Sequence, residues 1–139
     1  DGGAVILKGN QKVLAARLSD AKFFWEKDLR VARAGMGEWV EGLKAVTFHN
    51  QLGNQALRVD RIEGLARKLA EVVRADLETT LLAARYAKLD LRSAMVGEFP
   101  DLQGAMGRYY ALEALHGKPA AKVVADAVRD HWKPRGESD

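Results

Sequence analysis

Lys12, Lys27 and Arg30, with Phe23 among them, recur at helical spacing along one stretch of the sequence. At about 100° per residue they fall on a single face of a helix, within an arc of about 60°. Cations on one surface neutralise phosphates, and an exposed aromatic ring among them stacks on an unpaired base, so the pattern suits a nucleic-acid contact. The same pattern also suits a solvated face with a phenylalanine at its edge, and the sequence leaves both readings open. Arg108 is a fifth candidate. It equally suits a packing role, through an ion pair with Glu98 or Asp101.

Catalytic chemistry is harder to find. The 139 residues contain no cysteine, which removes disulfides, thiolate metal sites and cysteine nucleophiles together. Phosphate-binding Gly-x-x-x-x-Gly-Lys loops, Gly-x-Ser-x-Gly elbows and His-Glu-x-x-His zinc helices are all missing. His49 stands in a loop without a second ligand at metal-binding spacing, and reads as a surface hydrogen-bonding residue. Gly104-Ala105-Met106-Gly107 follows no strand, so helix packing explains its glycines better than nucleotide binding. The net charge of +3, from 22 basic and 19 acidic residues, is too small to argue for any partner by itself.

The elements that must position these residues are helical. No apolar run reaches the roughly 20 residues of a membrane span, and no signal peptide is visible. Ala4-Val5-Ile6-Leu7 reads as a short strand, and since a lone strand has nothing to pair with, residues 1–9 are expected to be the remnant of a preceding domain in an excised fragment. Asn10 is placed to cap a helix through about Arg33, with Leu14, Leu18, Ala21, Trp25 and Leu29 facing the core. A helical turn at Glu38–Leu43 and an ordered connection over residues 46–54 lead to an amphipathic helix over Gln55–Val73. Asp76 caps a helix expected to reach Met95; Pro100 opens another to about Leu115, burying Leu102, Met106, Tyr109 and Leu112. Pro119 opens the last, Pro134 closes it, and 135–139 read as the start of a linker. The expected fold is all-α, with about five main helices.

Gly97-Glu98-Phe99-Pro100-Asp101-Leu102-Gln103-Gly104-Ala105-Met106-Gly107-Arg108-Tyr109-Tyr110-Ala111 resembles a characteristic run of the β subunit of bacterial α2β2 glycyl-tRNA synthetase, and Ala16–Leu29 is similar to a second run of the same family. The resemblance covers about Lys8 to Pro134. Residues 33–42 and 115–118 depart from the family pattern. The resemblance implies an HD-like helical domain at residues 10–134, without a catalytic centre of its own, in a cytoplasmic ligase. Its implied partners are tRNA(Gly) and the α subunit, where ATP and Mg2+ would serve glycine activation.

The helices at Gln55–Val73 and Asp76–Met95 also resemble the core of the HD superfamily, whose enzymes hold divalent metal for phosphoester hydrolysis. That alignment puts Arg58 at the first histidine, Leu89 at the second and Asp90 at the paired aspartate. One carboxylate cannot fix an ion and activate its water, so no metal and no hydrolase activity are carried over. Two arrangements remain open: Arg58 stands near Asp90 in place of the metal, or it points to solvent while Asp90 bonds elsewhere. Two functional alternatives also stand, a structural spacer between domains and a metal-dependent HD phosphohydrolase.

Overall fold

A computed structural model describes residues 2–134, 136 and 137; Asp1, Arg135, Ser138 and Asp139, and with them part of the expected linker, lie outside the described residues. Five helices of ten or more residues make the body: α1 (Gly2–Arg33), α3 (Gln55–Val73), α4 (Leu77–Tyr86), α6 (Ala105–Ala114) and α7 (Ala121–Asp130). Short α2 (Gly37–Gly42) and α5 (Ala94–Glu98) join them, and strands β1 (Thr47–His49) and β2 (Gly53–Asn54) pair antiparallel. The all-α expectation holds.

The expected strand at Ala4–Leu7 is instead the start of α1, which runs unbroken from Gly2 past Asn10. A four-residue apolar run carries no period that separates helix from strand. With no sheet to join, the helix satisfies these backbone groups internally. The Leu14–Leu18 stripe keeps its helical register but not its expected burial: residues 2–20 are all exposed, and α1 enters the core only from Ala21 onward.

Side-chain caps fix the starts of α3 and α4 where the sequence predicts them. Asn54 accepts the Leu57 amide at 3.0 Å and opens α3, while Arg74 closes it in the left-handed region at φ 55°. Asn54→Ala is expected to lower stability by about 1 kcal/mol in chemical denaturation, with no change in the slope of the transition. Asp76 opens α4 as expected, but the helix ends at Tyr86 rather than near Met95. A 3-10 turn over Leu89–Arg92 intervenes, and Ser93 caps a separate α5 by accepting the Val96 amide at 3.1 Å.

Two hydrophobic clusters share Tyr86. The larger gathers Ala32, Met36, Trp39, Leu43, Leu89, Met106 and Tyr110; the smaller gathers Leu115, Val124 and Val128 between α6 and α7. Tyr110, fully buried, lies against Trp25 at 5.7 Å and Trp39 at 5.0 Å between ring centroids. Tyr109, expected inside, is 51% exposed; Met106 is buried as expected. One residue along a helix turns a side chain by about 100°, so only one of two adjacent tyrosines can face the core.

Candidate nucleic-acid interface and its supports

Lys12, Phe23, Lys27 and Arg30 lie on the outer side of α1, opposite the buried Asp28 and Ala32. The span from Lys12 to Arg30 is about 27 Å of helix axis. Three other cations of α1 are engaged, Arg17 with Glu98 at 2.6 Å, Arg33 with Glu113 at 2.9 Å and Lys22 with Glu26 at 3.8 Å, while Lys8 near its start is exposed. Among the described residues, Lys12, Lys27 and Arg30 have no ion-pair partner. Phe23 is 61% exposed and meets Phe24 edge to face, at 6.1 Å between ring centroids. Lys27 and Arg30 also border an open hollow of about 430 Å³ beside Val31, Ala34, Gly37 and Glu38. The structure thus brings four of the five candidates onto one accessible face.

The fifth has other work. Arg108 donates to Asp126 at 2.8 Å and ties α6 to α7, rather than meeting Glu98 or Asp101. Lys122, also bonded to Asp126, and Arg108 together hold that carboxyl down at about 2.

The two sequence runs that carry the family resemblance pack on each other. Arg17 bonds Glu98 and stands 5.2 Å over the Phe99 ring, and Trp25 meets both Tyr109 and Tyr110. Asp28 completes the joint: its carboxylate accepts the amides of Ala94 at 2.8 Å and Met95 at 2.9 Å and the Tyr110 hydroxyl at 2.7 Å. Burial, then this contact, push the Tyr110 phenol well up.

Asp90, 1% exposed, is held by backbone. Its Oδ2 accepts the amides of Gly104 at 2.7 Å and Gly107 at 3.1 Å, while Oδ1 has no hydrogen-bond partner. Gly104 takes φ 79°, and a Cβ there would stand 2.8 Å from the Trp132 ring; a Cβ on Gly107 would stand 2.9 Å from the Asp90 carboxylate. These glycines let the start of α6 close on the acid and on α7. Arg58 does not neutralise it: among the described residues no ion pair joins them, and the guanidinium lies 4.2 Å from the Phe48 ring centroid. Leu89 is core. The three HD-aligned positions thus hold a cation, an aliphatic chain and a carboxyl already bonded through one oxygen, a donor set that does not fit a divalent ion. Among the described residues no three His, Cys, Asp or Glu side chains group as a metal site.

The sequence matches the family described as glycyl-tRNA synthetase beta subunit over residues 1–139. The chain belongs to this family. It is 65% identical over its whole length to the glycine–tRNA ligase beta subunit of Paracoccus denitrificans, covering 20% of that protein. It is 59% identical over its whole length to that of Dinoroseobacter shibae, covering 19%. The corresponding protein of Aromatoleum aromaticum is 47% identical over 96% of the chain, which covers 18% of it. The chain therefore spans about a fifth of the length of these curated relatives. Nothing in the sequence alone singles out Asp28 or Lys88. Lys88, 3% exposed, stands in a stretch that also carries Arg85, Asp90 and Arg92, so nothing in the local sequence marks it as the buried cation.

Proposed function

We propose that this chain is a helical domain of a glycine–tRNA ligase β subunit that helps bind and position tRNA(Gly), and that it carries no catalytic centre. The unpaired cation and aromatic face of α1, anchored at its Lys27 and Arg30 end through Asp28, carries the reading. Such a face tracks a phosphate backbone and offers a ring to an unstacked base without reading sequence. In this proposal glycine activation with ATP and Mg2+ belongs to the α subunit of a cytoplasmic α2β2 assembly.

The test is tRNA binding by the intact β subunit at low and moderate salt, with Lys12, Lys27 and Arg30 all changed to alanine. Each lost phosphate contact should reduce the slope of log affinity against log salt by roughly 0.7–0.9, so the triple variant should lose about 2 or more from it. Affinity and slope equal to the parent's would refute the face.

The spacer reading has its own support. Val5, Ile6, Leu7, Leu14 and Leu18 on α1 and Leu65, Leu69, Val72 and Val73 on α3 are all at least half exposed. Apolar surface of that extent suits packing against neighbouring protein. An α1 triple variant that leaves tRNA binding intact would favour it.

A further inference from the structure

A cleft of about 350 Å³ between α3, α4 and α7 is lined by Arg58, Lys88 and His131, with Ile62, Ala84 and Ala127 among its apolar walls. Lys88 is 3% exposed, yet among the described residues it has no carboxylate within ion-pair distance, and no carboxylate lines the cleft. Its ammonium stands 2.9 Å from His131 Nε2 and 3.5 Å from the centroid of the Trp132 ring. His131 Nδ1 is 2.6 Å from the Val128 carbonyl, which only accepts, so Nδ1 bears the proton and Nε2 accepts from Lys88. Thr80, also at the cleft, already donates to the Asp76 carbonyl at 2.7 Å.

Two cations thus face one partly desolvated space that contains no counter-charge. Buried charge is costly without a partner, and a cationic cleft with apolar walls focuses its field on an incoming anion. The space exceeds what a lone carboxylate fills, and its alanine and isoleucine walls suit the sugar or base attached to a phosphate. We propose that this cleft binds a phosphoryl group of a nucleotide unit, held between the Arg58 guanidinium and the Lys88 ammonium. The choice of a nucleotide over other phosphorylated compounds rests on the RNA-binding reading above.

The electrostatics give the site a pH signature. Burial, then the positive charge of Arg58, lower Lys88 to about 8 against the opposing pull of Asp90, and His131 is held neutral down to about 4, chiefly by burial. Arg58, Asp90 and His131 are the titratable or charged groups acting on Lys88. A bound phosphoryl dianion holds the lysine proton, so affinity should fall as pH rises through about 8 and binding near that pH should take up protons.

The intact β subunit is titrated with adenosine 5′-monophosphate, adenosine, inorganic phosphate and the dinucleotide ApA, in two buffers of different ionisation heat. Saturable binding of the monophosphate but not of adenosine is expected, weakened roughly tenfold or more in Arg58→Gln and in Lys88→Met. Arg58 is half-exposed and Lys88→Met keeps the buried stem, so both variants should fold. Binding of ApA as well would assign an internal phosphate, and its failure a terminal one; either supports the site. Equal binding of adenosine, no saturation at low salt, or unchanged affinity in both variants would overturn it. Loss of tRNA binding in the α1 triple variant with nucleotide binding intact separates this site from the α1 face.

Discussion

Asp28→Ala should lower the stability of the domain by roughly 3–5 kcal/mol, read as the shift of a urea midpoint at constant slope. Asp28 is 2% exposed and satisfies three donors: the first amides of α5 and the hydroxyl of the most central tyrosine. Alanine leaves each of them in the interior without an acceptor, at about 1–3 kcal/mol apiece with incomplete additivity. Asn is not a neutral replacement. Oδ1 faces the Ala94 amide and Oδ2 the Met95 amide, so either orientation of the amide group sets a donor against a donor. Tyr110→Phe removes one bond and leaves the carboxylate with two, and should cost about 1–2 kcal/mol. A result in which Asp28→Ala costs no more than Tyr110→Phe would show that the α5 amides find water or other acceptors, and the account of the joint would fail. Because Asp28 is the next residue after Lys27 and seats this part of α1, the alanine variant should also weaken tRNA binding if the proposed face is used.

How far the sequence disclosed this arrangement depends on the range of the forces involved. Asn54 and Asp76 cap their own helices three residues away; the start of α3 at Gln55 and the Asp76 cap were legible. The start of α1 was not, because Ala4–Leu7 is too short to declare a period and lies beyond the body of the domain. Leu14 and Leu18 occupy the correct helical face, but whether a face is covered is decided by other elements. Tyr109 and Tyr110 are chemically alike and Trp25 meets both; Trp39 and Asp28, from distant segments, distinguish them by meeting Tyr110. Asp28 and Lys88 were the hardest to see. Charged residues are ordinarily solvated, and the groups that permit their burial lie 66, 67 and 82 residues from Asp28 and 43 from Lys88. The cationic face of α1 was legible because it needs no tertiary partner. The cleft behind Arg58 needs three helices at once, and only the HD alignment pointed near it.

Asp90→Ala is expected to cost roughly 3 kcal/mol, and the Asn variant at the same position tests why. The amides of Gly104 and Gly107 at the start of α6 converge on Oδ2, so alanine strands two buried donors and opens a void beside Val128. Burial, the largest influence, raises this carboxyl above its ordinary range despite those amides and Lys88. A raised folded-state value means that the native protein holds the proton more firmly than the unfolded chain. Below the unfolded value of about 3.8 that advantage is fully present, and it is lost as pH climbs through the folded value. Asn keeps an acceptor for both amides and cannot ionise. Its stability should therefore lack this component of the pH dependence, and the difference between parent and Asn variant should move in the Asn variant's favour as pH rises above 3.8. A difference that stays flat with pH would mean that Asp90 is not destabilised by ionising, and a difference moving the other way would mean that its charge is a net asset, compensated by Lys88. Adding Mn2+ should leave the parent midpoint unmoved, since a ligand specific for the native state would raise it. A rise that disappears in Asp90→Ala would restore a metal to the position from which the side chains argue it is gone.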